Sequence, residues 1–164
     1  MFLKRRLSHA QGYLGLGMVA EAEAELQQIT GAEAEQEEVI ALRLAVLHEQ
    51  RDWPAVRQLA AELVQRGVAD AGVWVTWAYA TRRADSLEAA EKILLTAEQQ
   101  HPADATIQFN LGCYACQRGD LEAGRARVDR AIALDPKFKA LAATDPDLEP
   151  LRAADGRADC QSGT

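Results

Sequence analysis

Aromatic side chains are scarce in this chain, at 5% of 164 residues. A core has to be built from Ala, Leu, Val and Ile instead. Runs of β-branched residues bounded by turn signals are missing, so no sheet is expected. Three Cys are too few for a disulfide framework. No stretch approaches the ~18 apolar residues of a membrane span, and nothing after Met1-Phe-Leu-Lys-Arg-Arg-Leu7 has the form of a signal peptide. A soluble, cytoplasmic protein with no membrane partner is the expectation. Base is in short supply too: 18 Lys and Arg face 25 Asp and Glu, a net charge of −7. Phosphate binding needs clustered base, so no nucleic-acid partner is expected. Residues 20–38 carry Glu21, Glu23, Glu25, Glu33, Glu35, Glu37 and Glu38 and no Lys or Arg. They predict an acidic face, most simply a solvated helix surface.

What remains is rich in Ala, Glu, Gln, Arg and Leu, which lose little rotamer freedom in a helix. The chain also repeats itself. The stretch from Leu87 through Ala90, Leu94 and Ala97 to Pro102 lines up with Leu121, Gly124, Val128, Ala131 and Pro136, at an offset of 34 residues. The same ruler extends backwards without insertion. One column reads Val19, Trp53, Leu87, Leu121, and the next Ala22, Val56, Ala90, Gly124. Two more read Leu26, Ala60, Leu94, Val128 and Ile29, Leu63, Ala97, Ala131. The turn column Gly17, Arg51, Asp85, Gly119 is weaker.

Leu87, Ala90, Leu94 and Ala97 recur at i, i+3, i+7 and i+10, one face of a helix. Asp52, Ser86 and Asp120 precede such helices as candidate N-caps, with Pro54 in a first turn. Pro102 and Pro136 follow them as stops. The segments from Lys137 to Leu141 and from Asp147 to Leu151 read as a capping helix plus a turn. Phe138, Leu141 and Leu148 are expected to cover the open end of the last copy. Residues 153–164 are small and polar and read as a disordered tail.

This pattern resembles the tetratricopeptide repeat (TPR) family. Phe109, Leu111-Gly112, Gly119-Asp120-Leu121, Gly124, Ala131 and Asp135-Pro136 are the nearest match, and Trp74, Trp77-Ala78, Leu87, Ala90, Ala97 and Pro102 are a good one. The first two copies lack the closing Pro. The resemblance implies an all-α fold, an α-solenoid (right-handed superhelix) of about four stacked helix-turn-helix units with a C-terminal capping helix. A single domain over 1–152 follows, with repeats at about 3–36, 37–70, 71–104 and 105–138, a cap at 137–152 and the tail at 153–164.

In that family the first helix of each unit, helix A, lines the concave surface. Carried onto this sequence, the candidate partner-binding groove is Val75, Tyr79, Arg82, Arg83, Phe109, Asn110, Cys113 and Gln117. Tyr79 and Phe109 beside Arg82 would suit an anchor-and-charge mode, or both rings pack against neighbouring helices. Trp53, Trp74 and Trp77 fall at core positions. The expected function is a protein-interaction scaffold or adaptor taking a peptide or helix of another protein. The alternatives are a secretion-type chaperone for one client and a homo-oligomerising structural module. Chaperone-binding members use a Lys, Asn and Arg clamp. Its positions fall here on Leu7, Gln11, Leu42, Gly72 and Thr76, or on Ala41, Ala45, Thr76, Thr106 and Asn110, so clamp-type binding is not expected.

Chemistry has few footholds. Cys113-Tyr-Ala-Cys116 is a CxxC, but it falls inside an expected helix with no strand before it, which forfeits the dipole that acidifies a redox thiol. Small-residue filler is the favoured reading; a redox or metal role is the competing one. His9, His48 and His101 form no ligand pair, and Ser8, Ser86 and Ser162 sit in no nucleophile elbow. No enzyme activity, cofactor or metal is expected.

Overall fold

The computed structural model describes residues 2–161. Among them every regular element is a helix. The order is α1 (Phe2–Gly15), α2 (Val19–Gln27), α3 (Glu37–Glu49), α4 (Trp53–Gln65), α5 (Ala71–Ala84), α6 (Leu87–Gln100), α7 (Ala105–Gln117), α8 (Leu121–Leu134), α9 (Phe138–Thr144) and α10 (Glu149–Gln161), with short 3-10 turns at Gly31–Glu35 and Pro146–Leu148. The second helices start at Val19, Trp53, Leu87 and Leu121, which is the 34-residue ruler itself. The fold class read from the sequence, an all-α array of helical hairpins, is the one observed.

Burial follows the columns. Ala22, Val56 and Ala90 have no exposed surface, and Gly124 beside them is buried. Leu26, Ala60, Leu94 and Val128 are all buried, as are Ile29, Leu63, Ala97 and Ala131. The column of Val19, Trp53, Leu87 and Leu121 is half-buried throughout. Trp53, assigned to the core, therefore sits at its margin, its ring edge-on to His48 at 5.3 Å. Trp74 is buried, and Trp77 packs half-buried beside it.

The expected caps form. Asp52, Ser86 and Asp120 accept hydrogen bonds from the backbone N–H groups of Ala55, Ala89 and Ala123. Asp70 and Asp104 do the same for Val73 and Ile107 at the starts of α5 and α7. These satisfy N–H groups that a helix start leaves without partners. In the turn column Gly17 and Gly119 adopt left-handed φ of 73° and 86°, and Arg51 accepts the same strain at 57°.

Contacts divide the chain into two units, Met1–Glu62 and Leu63–Thr164, where one domain over 1–152 was expected. A helical hairpin in a repeat array packs only on its neighbours, so one sequence period does not impose one packed body. In the first unit Leu7, Ala10, Ala22, Leu26, Val39 and Val46 form the core. Glu25 there accepts a 2.6 Å hydrogen bond from Arg6, so one carboxylate of the acidic run ties α2 to α1. Glu33, Glu35, Glu37 and Glu38 remain exposed.

The second unit closes on its own C-terminal elements. Phe138, Leu148 and Leu151 are buried in its core, whereas Leu141, expected to cover the last copy, is 47% exposed. Helix α10 carries the chain through Gln161, so residues 153–161 are helical rather than a disordered tail. Residues 162–164 of that expected tail lie outside the described residues.

Candidate functional site

Helices α5 and α7 are the A helices of the third and fourth copies, and they carry every residue of the expected groove. Asp70 and Asp104 fix their starts, and Gly112 lets α7 sit tightly on α8: a Cβ added there would come within 2.8 Å of Val128 Cγ2. The A helix α7 is thus held close against α8.

The A face of α5 and α7 is not open. The turn Asp145-Pro-Asp-Leu148 and the start of α10 lie on α7. Arg82 of α5 donates to both carboxylate oxygens of Asp147, one of these bonds being 3.0 Å. Gln117 Nε2 of α7 donates to the Asp147 carbonyl at 2.9 Å. The Arg82 guanidinium also stands 5.3 Å from the centre of the Tyr114 ring. The Asp147 hydrogen bonds hold the Arg82 guanidinium above its ordinary value. Asp145 accepts from the Asp147 N–H at 2.8 Å, which fixes the turn presenting that carboxylate.

The other expected groove residues separate into two sets. Phe109 and Cys113 are buried, so neither is an open contact; the Phe109 ring meets Phe138 of α9 at 5.0 Å. Val75 is half-buried against the same core. On the outer side, Arg83 donates to the Tyr79 hydroxyl at 3.1 Å, with its guanidinium 5.2 Å over that ring. Asn110 is half-buried and donates to the Thr106 carbonyl of its own helix at 2.9 Å. Sequence reasoning placed Arg82 and Gln117 on the A helices but did not foresee the turn that brings Asp147 to them. Asp147 lies 65 residues from Arg82, and no periodicity links them.

The two thiols belong to the packing. A Cβ on Gly124 would fall 2.4 Å from Cys116 Sγ, so that sulfur fills the seam between α7 and α8. Burial pushes the Cys113 and Cys116 thiols up and takes the Tyr114 phenol to about 12. Thiolate is the reactive form, and this environment opposes it. Iodoacetamide at about pH 7.5 should leave both unmodified in the folded chain, with full reaction in denaturant, read by mass spectrometry of the α7 peptide. Rapid native alkylation of either would restore the redox reading. Cys113 Sγ does lie with oxygens of Asp145 and Asp147 inside 4.8 Å, a ligand-like cluster. Arg82 already supplies the cation there.

In the first unit the A helices α1 and α3 border a cavity of 510 Å³, lined by Leu7, Gln11, Glu38, Ala41 and Leu42. Glu38 makes it a poor seat for a terminal carboxylate, the ligand of the family's clamp.

No family model and no curated protein matches the chain. Solved structures do. MamA from MSR-1 superposes with a TM-score of 0.59 at 16% identity, covering 96% of each chain. MamA from AMB-1 gives 0.62 at 14% identity, over 99% of this chain and 91% of that one. The likeness is one of fold. It runs over nearly the whole length of this chain and says nothing of a ligand. Among the described residues no helix is long and apolar enough to cross a membrane.

Proposed function

We propose that this chain is a TPR protein with no catalytic role, a scaffold or adaptor that binds a segment of another protein on its helix A faces. The observation that carries the reading is the manner in which α5 and α7 hold residues 145–148. A charged fork on a carboxylate, an amide on a backbone carbonyl and an apolar seat beside them are the means by which a peptide is bound. Arg82 and Gln117 supply the polar contacts, and Val75, Tyr79, Arg83 and Asn110 extend the same face, with Phe109 and Cys113 as its floor. The cavity of the first unit is a second stretch of helix A surface.

A photo-crosslinking amino acid tests the reading by position. Placed at Gln11 or Arg83 on A helices, it should capture partner protein in cells. Placed at Lys92 or Glu122, exposed on B helices, it should capture little. Equal capture from both sets would refute the proposal.

A further inference from the structure

We propose that the face formed by α5 and α7 recognises a carboxylate followed directly by a leucine, and that the chain's own residues 145–151 are a resident ligand which a partner segment of that chemistry displaces. This rests on the helix A reading above and names what the face selects.

The segment Asp145-Pro-Asp-Leu-Glu-Pro-Leu151 differs from its surroundings. Helix α9 before it is Ala-rich and buries one side chain, Phe138. Within the segment, Asp147 takes two donations from Arg82 and one, at its carbonyl, from Gln117. The next residue, Leu148, is only 1% exposed, and Leu151, one helical turn further on, is 7% exposed. Pro146 and Pro150 restrict the backbone on either side of the acid and leucine, so little freedom is lost when the turn docks. An acid read by a planar fork, an adjacent leucine in an apolar seat and a second leucine at i+3 make a short recognition motif. The receptor half comes from two helices of different copies and the ligand half from one continuous stretch.

Tethering explains why the face is closed in the isolated chain. A short connection gives the resident segment an effective concentration of about millimolar, so a free peptide of equal chemistry is excluded at lower concentrations. A partner prevails by adding contacts that the resident segment does not make. Exposed Arg83, one residue along α5 from Arg82, is placed for an additional acid.

Two full-length variants separate recognition from mere closure. Asp147→Ala and Arg82→Ala break the same ion pair, but only Asp147→Ala keeps the receptor base. A labelled peptide spanning residues 143–152 should bind the Asp147→Ala chain about tenfold or more tightly than the wild type. The Arg82→Ala chain should show no such gain, and a peptide with alanine in place of its Asp147 should show none on the Asp147→Ala chain. Circular dichroism checks the fold, and Asp147→Asn replaces the alanine variant should that unfold. Equal binding to both variants, or binding to neither, overturns the proposal. Light scattering of the wild-type chain covers the remaining occupant. A dimer dissolved by the peptide would place a second copy's segment on the face and overturn recognition of a foreign partner. Failure of the peptide with crosslinks still confined to A helices removes only the acid-leucine chemistry; crosslinks spread over B helices remove the reading beneath it.

Discussion

Gly124→Ala is expected to destabilise the second unit by about 1–3 kcal/mol, the usual range for overpacking a filled interior. The sign is the informative part. Gly124 lies inside α8, where alanine is favoured over glycine by about 1 kcal/mol when nothing obstructs it. A Cβ at this site meets Cys116 Sγ at 2.4 Å, with Gly112 O at 3.3 Å and Cys116 N at 3.4 Å. The last two are backbone atoms at tight but bearable range; the sulfur must move, and its surroundings are filled. Cys116→Ala removes that sulfur, so the double variant should recover most of the loss. The coupling between the two substitutions should reach about 1 kcal/mol or more. Urea unfolding followed by tryptophan fluorescence measures it. A Trp53→Phe background leaves Trp74 and Trp77 to report on the second unit. A stabilised Gly124→Ala chain, or purely additive losses, would show that the α7–α8 seam is looser than drawn.

That seam also marks how far the sequence could be read. Small residues at Ala22, Ala90 and Gly124 recur because paired helices meet there, and periodicity reports such local packing directly. The same holds for the caps at Asp52, Ser86 and Asp120, each three residues from its acceptor's donor. Asp70 and Asp104, which cap α5 and α7, carry the same local signal three residues upstream of their donors. The division into two units was not legible, because a uniform 34-residue register says nothing about where contact density thins. Nor was the state of the A face. Its residues were located from the resemblance, yet whether Phe109 and Cys113 face a partner or a core depends on Phe138 and residues 145–151. The sequence placed Phe138 and Leu148 at the end of the array, and the structure turns the chain back so that Asp147 reaches Arg82. A lone Asp-Leu between two prolines was the available clue, and it is weak without a partner base at a known spacing.

A polar ring also specifies how three helices of the second unit meet. Gln108 has no exposed surface, and its side chain sits in a closed ring of bonds. Its Nε2 donates to Glu98 of α6 at 2.8 Å, its Oε1 accepts from Arg127 of α8 at 2.8 Å, and Arg127 also donates to Glu98. One side chain from each of three successive helices is thereby satisfied by the other two. Arg127→Leu should cost about 1–3 kcal/mol, because it leaves the buried Gln108 amide oxygen without its donor and takes from the Glu98 carboxylate its charged one. Replacing Gln108 as well should return part of that, since an apolar group needs no partner. The cost should also depend on pH. The Arg127 hydrogen bond holds the Glu98 carboxyl below its ordinary 4.5. A depressed folded-state value contributes stability above the unfolded value and loses it as pH falls through the folded one. The penalty of Arg127→Leu should therefore be full at neutral pH and shrink as pH falls below the ordinary carboxylate range and Glu98 protonates in the native chain too. Urea midpoints of both chains across that range measure it. A penalty that does not change with pH would mean that Arg127 acts through its stem and its bond to Gln108, and that the Glu98 charge contributes nothing to holding the three helices.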